Sequence, residues 1–177
     1  MSAPPGVVLP HGVVPIERLR FGPPETWRGH HPDFGPVSLK FWPEGTPDPT
    51  GDTAAMARRA AFRHPLVAPL LAWGRGWAMH GWIEGRPLSA RPSSLVPALA
   101  AADVAEALRA LHRAGLLHGD LTPANVVVTG TGRAVLIDWG EISAGTPGWR
   151  LARPLRRIVG GRLDDRLALR RLRRWLR

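Results

Sequence analysis

His118-Gly119-Asp120-Leu121-Thr122-Pro123-Ala124-Asn125 and, beyond one short hairpin, Asp138-Trp139-Gly140 are the stretches on which the reading of the fold turns. Upstream, Ser94 to Ala114 is rich in Ala and Leu, with Val104, Leu108 and Leu111 along one helix face and Gly115 as a C-terminal stop. Between the two polar stretches, Asn125 to Val128 and Ala134 to Ile137 are β-branched runs around Thr129-Gly130-Thr131-Gly132, the pattern of a hairpin. A helix therefore delivers the chain to a loop bearing Asp120 and Asn125, and the hairpin brings Asp138 back beside them. Two carboxylates and an amide at one mouth offer the hard oxygen ligands that Mg²⁺ takes when phosphate or water completes its shell. Asn125 and Asp138 suit the metal, which leaves Asp120 to accept a proton.

Working outward, the first 85 residues read as short extended segments punctuated by Gly and Pro. Val13 to Phe21, Thr26 to His31 and Val37 to Trp42 form an expected antiparallel meander, completed by Leu70 to Trp73 and Trp77 to Trp82. Asp52 or Thr53 can cap a helix over Ala54 to Phe62, which must stop before His64-Pro65. Of the 24 basic residues only Lys40, on the third strand, is a lysine, and Asn125 is the single asparagine. A chain that uses arginine wherever a positive charge suffices, yet keeps one amine on a strand, draws attention to that amine. His30, His31 and His112 lack ligand spacing and read as surface residues, and Trp42 and Trp149 lie beside loops where exposure is expected.

The formal net charge of +10 is unevenly distributed. From Arg150 to Arg177, 11 arginines against Asp164 and Asp165 give +9, so the body is nearly neutral. Leu169, Leu172 and Leu176 line one side of an expected amphipathic helix whose other faces are arginine, which suits packing with a solvated outer face and equally suits nucleic acid or an anionic surface. The chain has no cysteine, which excludes a disulfide framework and a thiolate site. The Pro-broken start, Met1 to Pro15, does not read as a signal peptide, and no apolar run is long enough for a transmembrane segment, so a cytoplasmic setting is expected.

With H-G-D-L-T-P-A-N, D-W-G and the strand lysine of V-S-L-K in place, the sequence resembles the protein-kinase-like superfamily. Further pieces follow in family order: His64-Pro65-Leu66-Val67, the hinge-like Met79 to Leu88, Gly145-Thr146-Pro147-Gly148-Trp149, and Asp165 to Leu169, similar to the start of the helix that supports the catalytic loop. The resemblance implies an α+β fold of two lobes: residues 1–84 as a small antiparallel β-sheet N-lobe with one helix, and residues 85–177 as a truncated, mainly helical C-lobe. It implies an ATP- and Mg²⁺-dependent phosphotransferase with a Ser or Thr hydroxyl of a protein as acceptor. Lys40 would pair with the α- and β-phosphates, Asp138 would bind the bridging Mg²⁺, Asn125 a second metal, and Asp120 would take the proton of the attacking hydroxyl. Gly22 marks the phosphate-covering turn, backbone groups of Gly81, Trp82 and Ile83 would receive the adenine edge, and His80 would stand at the pocket entrance.

The sequence departs from the family pattern at several points. The phosphate-covering turn, Phe21-Gly22-Pro23-Pro24-Glu25-Thr26, has one glycine, two residues without an N–H donor, and an acid facing phosphate. The first helix offers no glutamate to Lys40 at the matching turn, Ala54-Ala55-Met56, and only Asp52, about one turn earlier, stands where it could substitute. Gly119 and Thr122 replace an arginine and a lysine common in protein kinases, and H-G-D-L-T with Ile137-Asp138-Trp139 is similar to the kinases of the KEOPS complex and to aminoglycoside phosphotransferases. Three other readings follow: a small-molecule kinase, a pseudokinase that binds a protein partner, and a nucleic-acid-associated protein acting through its arginine-rich end.

Overall fold

The computed structural model describes residues 12–22, 24–45, 49–140 and 161–177. The Gly145-Thr146-Pro147-Gly148-Trp149 segment, Pro23 and the first eleven residues lie outside the described residues. The architecture is α+β, in two compact units: the chain up to Phe62 with Pro69–Trp82, and Arg63–Ala68 with the chain from Ile83.

The first unit is an antiparallel sheet in the order β1-β2-β3-β5-β4, formed by β1 (Val14–Arg20), β2 (Glu25–His31), β3 (Gly35–Phe41), β4 (Leu70–Gly74) and β5 (Trp77–Gly81). Alternation along β3 puts Val37, Leu39 and Phe41 on one face, where they pack with Val13, Trp27 and Met79. The β2–β3 turn closes at Gly35, whose φ of +69° is left-handed and suits glycine. On the opposite face of β3 lies Lys40, across from Thr26 on β2 and Ala78 on β5 and only 3% exposed. Helix α1 (Thr53–Ala61) begins where the Asp52 carboxylate accepts the Ala55 N–H at 2.9 Å. It ends as Phe62 turns extended ahead of His64-Pro65. Met56 of α1 packs on Leu70 and Ala78, with Trp42 half-buried against them instead of exposed. Burying a side chain of the size of Met56 stabilises by about 1.5–3 kcal/mol.

In the second unit α2 (Pro97–Arg113) starts on a proline, which suits the first turn of a helix because its missing N–H would have no partner there. The chain then closes on Gly115 (φ +72°) with Leu116 N–H bonded to Leu111 O. The hairpin is β7 (Val126–Val128) with β8 (Ala134–Leu136), and a short strand that the sequence pattern does not announce, β6 (Arg86–Pro87), adds to β7. It follows Gly85 (φ +156°), where any Cβ would collide with the Val128 carbonyl.

Arg63–Ala68 closes the other edge of this small sheet, exchanging Ala68 N–H to Leu136 O and Leu136 N–H to Leu66 O, both 2.9 Å. Trp139 is fully buried and its indole N–H reaches Ala68 O at 2.7 Å. Helix α3 (Gly161–Trp175) runs antiparallel to α2, with Asp165 beside His112 and Trp175 under the guanidinium of Arg91. Of its leucine stripe, Leu172 is buried while Leu169 and Leu176 are half-buried. Among the described residues no helix is long and apolar enough to cross a membrane.

Candidate active site

The loop after α2 is organised by an acid from α3. Asp165, 1% exposed, accepts the backbone N–H of His118 (Oδ2, 3.0 Å) and of Gly119 (Oδ1, 2.9 Å), while its Oδ2 also meets His112 Nε2 at 2.8 Å. A buried and a half-buried amide are thereby satisfied, which fixes the backbone just before Asp120. His112 is therefore not the surface residue its spacing suggested. His31 is also buried, with Nδ1 accepting the Asp33 N–H and the ring tilted against Phe34.

Asn125 ties the loop together. Its side-chain Nδ2 donates to Asp120 O at 2.8 Å and to Asp120 Oδ2 at 3.2 Å, which fixes the flip of the amide and turns Oδ1 to the other side. Its backbone carbonyl accepts the Ile137 N–H at 3.0 Å, and Gly140 N–H bonds His118 O at 3.0 Å. Asp138 stands between those two bonds with a φ of 58°, a left-handed conformation uncommon outside glycine and found at functional sites when the surroundings enforce it. The structure thus brings Asp120, Asn125 and Asp138 together, with Asp120 exposed and the other two half-buried.

His118 lies beneath them, fully buried, with Nδ1 accepting the Asp120 N–H at 3.4 Å. Burial pushes its pKa below the ordinary histidine value, and the carboxylates of Asp165, Asp120 and Asp138 and the Ile137 carbonyl oppose this without reversing it. With Nδ1 accepting, the ring holds the Asp120 amide.

The donor set fits Mg²⁺: two carboxylates and an amide oxygen, all hard ligands. Among the described residues no group of three or more His, Cys, Asp or Glu is gathered as a metal cage. Asn125 and Asp138 would form only a partial shell, as suits an ion that also takes phosphate oxygens.

The sheet unit holds the remaining expected residues except Ile83, which opens the second stretch of the other unit. Lys40 is buried on β3, as described above. Gly22 has a left-handed φ of +97° with open space where a Cβ would stand, and the neighbouring Phe21 is 77% exposed. Glu25, expected to face phosphate, instead accepts Arg18 Nη2 at 2.6 Å and the Trp27 indole at 3.4 Å, and Arg18 lies over the Phe21 ring at 4.2 Å. Asp52, the acid expected to substitute for the helix glutamate, is engaged as the cap of α1. His80 is buried within β5 opposite Ser38 and Leu70, not at a rim, because β5 lies between β3 and β4. Gly81 N–H donates to Pro69 O and Trp82 N–H to Pro36 O, so these two hinge amides already have acceptors within the sheet unit.

Sequence reasoning missed two charged supports. One is the His112–Asp165 pair; the other is Asp103, buried in α2, which takes Arg133 in a fork through Nε (2.9 Å) and Nη2 (2.9 Å) and accepts the Ala134 N–H that opens β8. For Asp103 the signal in the sequence is an aspartate within an otherwise apolar helix face; Asp165 is marked by resemblance as the start of the supporting helix, without its partners.

The family-model match falls on this same part of the chain. Residues 113–177 match the Phosphotransferase enzyme family. A probable cAMP-dependent protein kinase catalytic subunit of Encephalitozoon cuniculi (strain GB-M1) is 36% identical over 74 residues, 37% of this chain and 23% of that kinase. The chain thus spans about a quarter of the length of the curated relative it matches. The loop, the hairpin aspartate and both comparisons agree: this chain resembles the protein-kinase-like superfamily.

Proposed function

We propose that the chain is an ATP-dependent phosphotransferase that moves the γ-phosphoryl group to a Ser or Thr hydroxyl of a protein. The observation that supports this most is the Asn125 amide, bonded to both the carbonyl and the carboxylate of Asp120 and backbone-linked to the residue before Asp138. In this reading Asp120 accepts the hydroxyl proton as its oxygen bonds to the γ-phosphorus and the bond to the β–γ bridging oxygen breaks, releasing ADP. Asn125 Oδ1 and the Asp138 carboxylate hold Mg²⁺, which supplies neutralisation of phosphate charge when bound. Lys40 pairs with the α- and β-phosphates. With the Gly81 and Trp82 amides engaged in the sheet unit, the adenine edge is left to hinge carbonyls and the Ile83 N–H. Residues 1–84 and 85–177 act as N-lobe and C-lobe, in the cytoplasm.

A small-molecule hydroxyl is the second reading, favoured by the match to the Phosphotransferase enzyme family together with His118-Gly119-Asp120 and Ile137-Asp138-Trp139. Transfer from γ-labelled ATP to mixed Ser/Thr peptides, to the chain itself and to an aminoglycoside panel separates the two. Asp120→Asn is expected to lower transfer by about 100-fold or more, the scale of a lost general base. Equal transfer by Asp120→Asn and wild type contradicts the catalytic role, and transfer to the panel alone replaces the protein acceptor with a small molecule.

A further inference from the structure

The groove between α2 and α3 is lined by none of the residues proposed for phosphoryl transfer, and its chemistry is distinct. It has a volume of about 680 Å³. Its floor is apolar, made by Ala105 and Leu108 of α2 and Leu169 of α3, and its rim is cationic, with Arg109 and Arg113 on one side and Arg166 and Arg173 on the other. Because the helices are antiparallel, Arg173 stands near the Ala105 end and Arg166 near the His112–Arg113 end, with Arg109 between them, so both walls of the groove carry guanidinium groups. All four arginines are exposed, and none forms an ion pair with another described residue. Like charges facing each other across a groove repel, so the arrangement has an unbalanced positive potential that an anionic occupant relieves.

We infer that this groove is a docking site for an acidic peptide segment of a protein partner, with carboxylates alternating around an apolar anchor. Carboxylates match the planar fork of arginine from either wall, and a leucine-sized side chain matches the floor. A nucleic-acid backbone would use the rim and leave the apolar floor unfilled, and a bilayer surface would not enter a concave groove between two helices. Arg170, Arg171 and Arg174 of α3 do not line the groove, so they serve as a control for positive charge outside it. The site also touches the loop described above: His112 is one of its walls and shares Asp165 with the amides of His118 and Gly119. The inference stands on the groove alone and does not depend on catalysis.

The test is fluorescence anisotropy on the full chain with a labelled probe peptide, Glu-Asp-Leu-Glu-Asp-Leu-Glu-Asp. Wild type is expected to bind it, with affinity falling as salt rises. The pairs Arg109→Glu with Arg113→Glu, and Arg166→Glu with Arg173→Glu, are each expected to weaken binding by about tenfold or more, while Arg170→Glu with Arg174→Glu, the same charge change outside the groove, changes it by about twofold or less. Replacing the probe's leucines by serine is expected to weaken binding to wild type as well. Circular dichroism establishes that each variant is folded before it is compared. The inference is overturned if the control pair weakens binding as much as the groove pairs, which would reduce the effect to bulk charge, or if the serine probe binds equally well. It is also overturned if a single-stranded RNA or phosphatidylserine-containing vesicles bind more tightly than the peptide and lose that binding in the groove pairs.

Discussion

In the loop from His118 to Asn125 the backbone is held from below by a buried carboxylate, from within by an asparagine amide, and from the side by two bonds to the strand end that carries Asp138. At the β1–β2 turn around Gly22 the corresponding supports are an exposed phenylalanine, a partly exposed Arg18–Glu25 pair and a glycine with open space around it. The resemblance assigns phosphate-facing work to both. The contrast shows where this sequence invests in fixed geometry: polar groups that must be placed to within fractions of an ångström are locked by buried acceptors, whereas a covering turn can be assembled from surface contacts.

The comparison breaks most visibly at Asp165. Asp165→Ala leaves the His118 and Gly119 amides and His112 without their acceptor, and the expected loss is about 3–5 kcal/mol in urea unfolding followed by tryptophan fluorescence. A loss under about 1 kcal/mol would mean that the loop is held by other contacts. Asp103→Ala should cost less, about 2 kcal/mol, since Arg133 can turn to water and only the Ala134 amide is stranded; the same titration reads it.

The next test concerns pH. Because burial lowers the pKa of His118 below 6.5, the unfolded chain takes up the proton first as pH falls. Its stabilising contribution is therefore complete above pH 6.5 and is lost as pH drops toward the folded-state value. Melting temperatures of wild type and His118→Phe between about pH 7 and pH 5 should diverge, wild type falling more steeply; parallel curves would contradict a buried neutral ring.

Smaller effects sharpen the contrast. Asn125→Ala should cost no more than about 1 kcal/mol in the absence of ligand, because its partners can reach water, yet it should remove much of the Mg²⁺ dependence of ATP binding measured by calorimetry. Glu25→Gln at the covering turn should shift stability by under about 1 kcal/mol and leave Mg²⁺ dependence unchanged, as suits a partly exposed pair.

Much of this fold was legible in the sequence for local reasons. The five long strands and the hairpin follow from alternation and turn residues, and helix boundaries shift by a few residues where chemistry of the ends decides: Asp52 caps α1, and Pro97 sets the start of α2. The convergence of Asp120, Asn125 and Asp138 was readable because a helix, a loop and a hairpin are contiguous in the chain. Interactions that join distant segments were not. His112 meets Asp165 and Asp103 meets Arg133 across long sequence separations, and β6 is a strand only because Arg86–Pro87 lies against β7. Trp42 and His31 looked exposed from their neighbours in sequence and are covered by residues from other strands and turns. At the covering turn the formal charge of Glu25 suggested repulsion of phosphate, and the missing information was Arg18, one strand away.

The central claim, that Asn125 and Asp138 with Asp120 form a metal–nucleotide site, is tested most directly by thermal unfolding with and without Mg²⁺·ATP. A ligand that binds only the folded chain must stabilise it, by about 2.7 kcal/mol at 100 times its Kd. The account predicts an upward shift in melting temperature that requires Mg²⁺ in wild type and vanishes in Asp138→Ala. No shift at saturating nucleotide, or the same shift in Asp138→Ala, would contradict it.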